Sequence, residues 1–217
     1  QPIFEKGFIY DSHANQINKG SSKAIQRFDV FKMKVTENGR LVNKPLDNNM
    51  VVGYVLKADI KHFFDTVDHQ ILMGCIKQKI KDEKVFGLIQ IILDNHKIQD
   101  SKLKTQDSEK GMPIGNLTSQ FFANLYLNEL DNFVKHKLKV KYYIRYVDDF
   151  VLLDKSKEKL EKIKSEISEF LKTIKLELHP EKSKIYQLQK GVKFLGFRIF
   201  QYYRLLNKKN IRKIETK

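Results

Sequence analysis

The spacing of apolar and polar residues predicts a chain of alternating strands and helices. Runs rich in β-branched and aromatic residues predict a buried strand over residues 51–60 and two strands joined by a tight turn over residues 143–153. Apolar residues three and four positions apart predict helices over residues 24–31, 71–80, 84–97, 120–133 and 156–173. Polar residues with Gly39 and Pro45 mark residues 37–49 as the best candidate for a loop or linker.

The last third of the chain returns to a strand pattern. Leu176 and Leu178 alternate with charged residues, which predicts a short strand, and a turn containing Pro180 follows it. Residues 185–188 and 192–200 then predict a closing hairpin around Gly191. The basic residues that follow indicate the start of a further element.

From residue 51 onward the predicted elements follow the order of a split βαββαβ unit, once the middle helices are counted as one. The predicted fold class is therefore α+β, with an antiparallel ferredoxin-like or RRM-like sheet and helices on one face. In that topology the first strand and the central hairpin are neighbours. Asp59, at the end of the first strand, would then approach Asp148 and Asp149 in the turn of the hairpin.

The charge of the chain favours a polyanionic partner. Its 217 residues carry a formal net charge of +15, with Lys and Arg spread along the whole length. Nucleic acid is the commonest partner of such a chain, and a basic surface without a partner is the alternative. An anionic membrane surface is disfavoured because no helix pattern sets a Lys/Arg face opposite a Trp/Phe/Leu face. No apolar run reaches membrane-spanning length, so no membrane association is expected.

Cys75 is the only cysteine, which excludes a disulfide framework within the chain and is typical of a reducing cytoplasm. We expect Cys75 in the core rather than as a reactive thiol, because it lies in an apolar helical stretch. His62, His69 and His96 lack the paired spacing of a metal site and are interpreted as surface or capping histidines. The chain begins with Gln, so we expect it to be processed or part of something longer.

Asp148 and Asp149 allow two interpretations. Alone, two adjacent carboxylates between strands indicate a solvated acidic turn; no glycine supplies a positive φ there, but Asp tolerates left-handed geometry. With Asp59 beside them, three carboxylates would not assemble without cations, and Mg²⁺ prefers oxygen ligands. Two such ions would support phosphoryl transfer. The glycine-bearing loop at 111–116, ahead of a predicted helix, would present N–H groups to a nucleotide, which makes nucleotidyl transfer the hypothesis.

Five segments, in the same order, resemble the motifs of reverse transcriptases. They are residues 57–65 with the first aspartate, 111–120 with the nucleotide-contacting loop, 146–149 (Tyr-Val-Asp-Asp), 179–185 with a lysine-bearing turn and 194–197 with the primer grip. The resemblance implies an RNA-directed DNA polymerase with a palm domain. Its partners would be an RNA template, a DNA or RNA primer and dNTPs, and an accessory protein is a further candidate partner.

The resemblance implies a role for each matching residue. Asp59, Asp148 and Asp149 would bind two Mg²⁺ ions, for which Mn²⁺ could substitute. Lys182 would protonate the leaving pyrophosphate, and the alternatives are a salt bridge to Glu181 or a free surface lysine.

Further residues match the family's nucleotide and primer contacts. Phe64 corresponds to the aromatic gate that collides with a ribose 2′-hydroxyl, so the product would be DNA; the alternative is a core phenylalanine beside Phe63. The other matches are Ile60, Ile114, Gly115 and Gln120 at the nucleotide and Phe194, Leu195 and Gly196 at the primer end. The strand around the primer grip would have a core role in any case.

Residues 114–120 (Ile-Gly-Asn-Leu-Thr-Ser-Gln) resemble the Ile-Gly-x-x-x-Ser-Gln form found in diversity-generating retroelement enzymes. In the common form a glutamine side chain helps to place the incoming nucleotide, and Ile114 cannot make that hydrogen bond. The resemblance thus implies error-prone copying, particularly opposite template adenine. A group II intron or retron-type reverse transcriptase is the alternative subclass, and a non-catalytic RNA-binding palm module is the alternative function.

The resemblance also divides the chain. Residues 1–50 would be the C-terminal part of the fingers, residues 51–200 the palm with its finger-side helices, and residues 201–217 a truncated start of the thumb. With fingers and thumb incomplete, the 217-residue chain is expected to be a weak polymerase by itself. A cytoplasmic location is expected.

Overall fold

The computed structural model describes residues 2–44, 47–99, 110–113, 116–207 and 210. The strands are β1 (Leu41–Lys44), β2 (Asp47–Val51), β3 (Tyr54–Asp59), β4 (Tyr143–Tyr146), β5 (Asp149–Asp154), β6 (Lys184–Gln187), β7 (Val192–Phe194), β8 (Phe197–Ile199) and β9 (Arg204–Leu206). The helices are α1 (Pro2–Glu5), α2 (Ser21–Val35), α3 (Phe63–Thr66), α4 (His69–Lys77), α5 (Glu83–Gln99), α6 (Leu117–Asn132) and α7 (Lys157–Thr173). Across the described ranges, no helix combines the length and the apolar composition needed to cross a bilayer.

Four strands form an antiparallel sheet in the order β4-β5-β3-β6. This is the strand arrangement of a split βαββαβ unit, in which the first strand lies between the third and the fourth. The predicted α+β, ferredoxin-like fold is therefore confirmed. Because β3 pairs with β5, Asp59 lies opposite Asp149 although the two are distant in sequence.

Apolar side chains cover both faces of this sheet, whereas the sequence predicts helices on one face only. On one face α7 packs against β3 and β5, with α4 and α6 beside it. On the other face α2 packs against β4 and β5. The reason lies in residues 150–153, which are all apolar and alternate between the faces, so that both faces of β5 need a cover.

Two predictions ahead of the sheet are wrong in detail. Residues 37–49 do not form only a loop, because β1 and β2 pair there as an antiparallel hairpin. The strand predicted over residues 51–60 is interrupted at 52–53. At Gly53 the backbone packs so closely that an added Cβ would lie 2.8 Å from Cδ1 of Leu188.

The helix predicted through residues 71–80 corresponds to α4, which Asp68 caps. The carboxylate of Asp68 accepts a hydrogen bond from the backbone N–H of Ile71 at 3.0 Å, as an N-cap residue does. Val67, with φ of −56° and ψ of 122°, leaves the helical conformation and separates this helix from α3. Cys75 is buried within α4, as predicted.

Residues 176–178 do not form the predicted strand. The N–H of Leu176 donates to the carbonyl of Leu171, and Lys175 has a φ of 55°, so this segment terminates α7 with a left-handed residue. Leu178 makes only an isolated bridge with Ile60. The segment therefore meets the end of β3 only through this bridge and its two flanking hydrogen bonds, from the N–H of Lys61 to the carbonyl of Glu177 and from the N–H of His179 to the carbonyl of Asp59.

The predicted closing hairpin is also wrong. β6 pairs with β3, while β7, β8 and β9 form a separate antiparallel sheet. A 3₁₀ turn over Leu188–Lys190 and the left-handed Gly191, with φ of 75°, redirect the chain between β6 and β7. The hairpin turn lies instead at Leu195 and Gly196, which both have a positive φ.

Candidate active site

Strand pairing brings three aspartates to one end of the central sheet. Asp59 is the last residue of β3, Asp149 is the first of β5, and the two are direct partners in the ladder. The turn between β4 and β5 adds Asp148, whose carbonyl accepts a hydrogen bond from the N–H of Ile60 at 3.3 Å. Residues far apart in the chain therefore occupy adjoining positions here.

The turn that carries Asp148 has an unfavourable backbone. Its left-handed residue is Val147, with φ of 55°, and not an aspartate as the sequence suggests. A β-branched side chain disfavours this region, and such a conformation costs on the order of 1–3 kcal/mol. The turn therefore persists only because surrounding contacts hold it.

Two lysine ammonium groups contact these carboxylates. Lys182 Nζ donates to Asp59 Oδ1 at 3.2 Å, and Lys57 Nζ lies 3.4 Å from Asp149 Oδ2. Lys57 is not among the site residues predicted from the sequence. A signal was present, because strand residues two positions apart share a face and Lys57 precedes Asp59 by two.

Burial and mutual repulsion disfavour negative charge at the turn. Burial raises the pKa of Asp149 to about 6; the Lys57 ammonium opposes this rise, and the carboxylates of Asp59 and Asp148 add to it. Burial also raises the pKa of Asp148, and the charge of Asp59 contributes in the same direction. A cation bound between these groups would relieve both effects.

The donor chemistry of this corner fits a hard divalent cation. Oδ1 of Asp149 is buried and makes no hydrogen bond, so this oxygen is free to act as a ligand. The neighbouring donors are carboxylates as well, which Mg²⁺ prefers. Within the part of the chain that the structure describes, no three His, Cys, Asp or Glu side chains converge closely enough to hold an ion as they stand. Coordination by all three aspartates would therefore require their carboxylates to move closer together.

The turn before β6 holds the backbone of Asp59. The N–H of His179 donates to the Asp59 carbonyl at 2.8 Å. The buried hydroxyl of Ser183 lies 3.3 Å from both the carbonyl oxygen and the backbone nitrogen of Asp59. Ser183 therefore fixes the end of β3, a role that the sequence does not signal because serine is common in turns.

Phe64 lies in α3, five residues after Asp59. Its ring is half-buried and meets Phe63 edge-on, with 5.3 Å between ring centroids. Its carbonyl accepts a hydrogen bond from the N–H of Met112 at 2.7 Å, which ties α3 to the loop ahead of α6. A half-buried ring is compatible with both the gate and the core interpretation, so the gate stays a prediction.

The other predicted contacts are spread over several elements. Ile60 is buried in the core, and Gln120 is half-buried in the first turn of α6. Ile114 and Gly115 lie outside the described residues.

The predicted primer grip divides into a core residue and a turn. The ring of Phe194 is buried on the α2 side of the sheet, 5.8 Å from the ring of Phe28. Leu195 and Gly196 form the β7–β8 turn, and the N–H of Asn207 donates to the Gly196 carbonyl at 2.9 Å. Phe194 thus has a packing role, and a primer contact stays a prediction.

Comparisons with known proteins agree with this geometry. The family model described as reverse transcriptase (RNA-dependent DNA polymerase) matches residues 12–199. Protein YkfC of Escherichia coli is 25% identical over 234 residues, which cover 93% of this chain and 58% of YkfC. The group II intron-encoded protein LtrA of Lactococcus lactis subsp. cremoris is 28% identical over 209 residues, which cover 67% of this chain and 35% of LtrA. The chain thus spans between about a third and three fifths of these relatives.

The fold is shared with solved structures of telomerase. The apo telomerase of Candida tropicalis, truncated from its C-terminal domain, superposes with a TM-score of 0.62 over 91% of this chain and 41% of the telomerase chain. At 14% identity this likeness concerns the fold alone. Since the family model covers most of the chain, including all three aspartates, the protein belongs to the reverse transcriptase (RNA-dependent DNA polymerase) family.

Proposed function

We propose that this chain is the palm and part of the fingers of an RNA-directed DNA polymerase, which transfers a nucleotide from a dNTP to a primer 3′-hydroxyl. The observation that carries the proposal is the pairing of Asp59 with Asp149 across adjacent strands, with Asp148 in the adjoining turn. A module that only binds RNA would gain nothing from these partly buried carboxylates, which repel one another. Their negative charge would also weaken the binding of a polyanion such as RNA.

Asp59, Asp148 and Asp149 are the proposed ligands of two Mg²⁺ ions, with Mn²⁺ as a substitute. When bound, these ions would supply activation of the 3′-hydroxyl and neutralisation of the leaving pyrophosphate. The buried Oδ1 of Asp149, which makes no hydrogen bond, supports its role as a ligand. The Lys57 ammonium would neutralise Asp149 in the metal-free protein, since it lies 3.4 Å from Oδ2.

Lys182 is the proposed proton donor to the pyrophosphate. Its ammonium contacts Asp59 at 3.2 Å and is half-exposed, so it is close to the carboxylates and can still reach a ligand in solvent. Ser183 holds the Asp59 backbone next to it, which keeps the two side chains in register.

The remaining roles concern nucleotide and primer selection. Phe64 would exclude a ribose 2′-hydroxyl, and Gln120 at the start of α6 would face the nucleotide with Ile114 and Gly115. Ile60, which the sequence also assigned to the nucleotide, is buried in the core and would support the site from below. Leu195 and Gly196, in a turn that follows Phe194, would contact the primer end. Residues 1–50, 51–200 and 201–217 would then be fingers, palm and the start of a thumb. The support for these assignments is the order of the sequence motifs.

The decisive experiment is primer extension on a primed RNA by the complete natural gene product that contains this chain. We expect Mg²⁺-dependent incorporation of dNTPs and its loss in Asp148→Asn. Glu161→Gln is the matched control, because Glu161 is exposed on α7 and its replacement also removes one negative charge. Tight RNA binding without incorporation by the wild type would instead favour a non-catalytic palm module.

Within the family, we propose the diversity-generating retroelement type. The support is the Ile-Gly-x-x-x-Ser-Gln pattern at residues 114–120. A group II intron type is the second candidate, favoured by the 28% identity with LtrA, a group II intron-encoded protein. The error spectrum distinguishes the two: misincorporation concentrated opposite template adenine, and reduced in Ile114→Gln, supports the first. Errors spread evenly over the four template bases support the second.

A further inference from the structure

A buried polar cluster lies beneath the Val147–Asp148 turn, and Arg145 is its centre. The guanidinium of Arg145 is fully buried and forms a bidentate ion pair with Asp131, at 2.8 Å from Nε to Oδ1 and 2.7 Å from Nη2 to Oδ2. Tyr143 donates its hydroxyl to the same Asp131 carboxylate at 2.8 Å. The charge of Arg145 is therefore compensated within the cluster.

The remaining N–H groups of Arg145 reach three other parts of the chain. Nη2 donates to the hydroxyl of Ser12 at 3.0 Å, and Nη1 donates to the side-chain oxygen of Asn124 at 3.1 Å. Nη1 also donates to the backbone carbonyl of Val147 at 3.0 Å. This last contact joins the buried cluster directly to the turn that carries Asp148.

The contact to Val147 is made where the backbone needs support. Val147 has a φ of 55°, which a β-branched residue disfavours, so the turn would relax toward another conformation without an external restraint. Next along the turn, the Asp148 carbonyl accepts a longer hydrogen bond, 3.3 Å, from the N–H of Ile60. The charged donor of Arg145 is therefore the stronger of these two restraints.

Stability alone does not account for this cluster. A buried ion pair can often be replaced by well-packed apolar residues without loss of stability, because desolvation of the charges opposes their attraction. An arginine fork, by contrast, fixes the direction of several hydrogen bonds at once, which a lysine cannot do. Such a fork suits a site whose geometry has to be held to a fraction of an ångström.

We propose that Arg145 is a positioning residue, which holds the carbonyl of Val147 so that the strained turn keeps Asp148 beside Asp59. The proposal rests on the proposed polymerase function. The two can fail separately. An inactive wild-type protein would contradict the polymerase function. An active wild type together with a fully active Arg145 variant would contradict only the positioning role of Arg145.

The test compares Arg145→Lys with Tyr143→Phe in the complete gene product. Both change the same buried cluster, but the hydroxyl that Tyr143→Phe removes donates to Asp131 and not to the Val147 carbonyl. In steady-state primer extension we expect kcat of Arg145→Lys to fall about tenfold or more, with KM for dNTP little changed, because misplacement of a reacting group by about 1 Å can cost about 10²-fold. We expect kcat of Tyr143→Phe to stay within about twofold of the wild type, even if its melting temperature falls.

Two further measurements separate positioning from folding. Mg²⁺ should raise the melting temperature of the wild type and of Tyr143→Phe, and raise that of Arg145→Lys less. Adding Val147→Gly to Arg145→Lys should restore part of kcat, because glycine adopts a positive φ without strain and needs no clamp. If Arg145→Lys does not fold, the double variant Arg145→Met/Asp131→Leu takes its place, because it removes the contact to the Val147 carbonyl without leaving an unpaired buried charge.

Three outcomes would overturn the proposal. In the first, Arg145→Lys or its substitute unfolds more easily but keeps the wild-type kcat. In the second, the loss of kcat relative to the loss of stability is the same for Tyr143→Phe as for Arg145→Lys. In the third, Val147→Gly restores no activity and the Mg²⁺ response of the Arg145 variant equals that of the wild type.

Discussion

Asp149→Asn replaces an ionisable group of the β4–β5 turn by an amide of nearly the same shape. Burial raises the pKa of Asp149 from 3.8 to about 6. The carboxylates of Asp59 and Asp148 add to this rise, and the ammonium of Lys57 opposes it. The folded chain therefore disfavours the ionised form more than the unfolded chain does. At about 1.36 kcal/mol per pKa unit, this rise corresponds to roughly 3 kcal/mol lost from the free energy of unfolding once Asp149 is ionised.

The loss has a defined pH window. Below pH 3.8 the carboxyl is protonated in both states; as the pH rises from 3.8 through about 6, the unfolded state ionises first and wild-type stability falls. The Asn variant has no such loss. We therefore expect its free energy of unfolding to match the wild type near pH 4 and to exceed it by about 1–3 kcal/mol at neutral pH. The melting temperature would then rise by roughly 2–10 °C.

The assay is urea unfolding of the chain between pH 4 and 8 with divalent ions chelated. Glu161→Gln serves as the charge-matched control, since that side chain is exposed on α7. In a second series, Mg²⁺ at about 100 times its dissociation constant should stabilise the wild type by about 2.7 kcal/mol and the Asn variant far less. A lower stability of Asp149→Asn at neutral pH, or a stability difference from the wild type that does not change with pH, would contradict a raised pKa of Asp149 in the folded chain.

Three further predictions concern the framework of the site. Burial alone would raise the pKa of Asp68, but hydrogen bonds from Lys175 and the Ile71 backbone outweigh burial and lower that pKa. Asp68→Ala should therefore reduce the free energy of unfolding by about 1–2 kcal/mol at pH 7. Urea titrations should show this difference shrinking as the pH falls below 3.8, where the wild-type carboxyl becomes protonated. Burial raises the pKa of Cys75 to about 11, so iodoacetamide should label the native thiol at least about 100-fold more slowly than the unfolded one, as mass spectrometry would show. Gly191 has a φ of 75° and a Cβ there would lie 2.6 Å from the Phe200 ring, so Gly191→Ala should lower the melting temperature and cost about 1–3 kcal/mol.

Elements whose determinants are local are predictable from the sequence. The helix predicted over 156–173 forms as α7, because Ser156 caps it and its apolar residues recur every three to four positions. The hairpin at 143–153 forms for the same kind of reason, since two apolar runs flank a short polar turn. In both cases the signal and the contacts lie within a few residues of one another.

Strand partners were less predictable. Residues 185–188 carry the same alternation whether they pair with residues 192–200 or with β3, and only the structure shows that β6 joins β3. The left-handed Gly191 turns the chain away before a hairpin can form. Backbone hydrogen bonds do not depend on side-chain identity, so the choice between two partners is made by packing over the whole sheet.

The sequence by itself determined most of the helices, the central hairpin and the family to which the chain belongs, and it predicted that Asp59 meets the Asp148–Asp149 corner, because these follow from local patterns and motif order. Only the tertiary structure decided which charges meet. It paired Lys57 with Asp149, made Val147 the strained residue of the turn and set Arg145 beneath it. These contacts depend on burial and on separations below about 4 Å between distant residues, where electrostatic interactions change steeply and no sequence period records them.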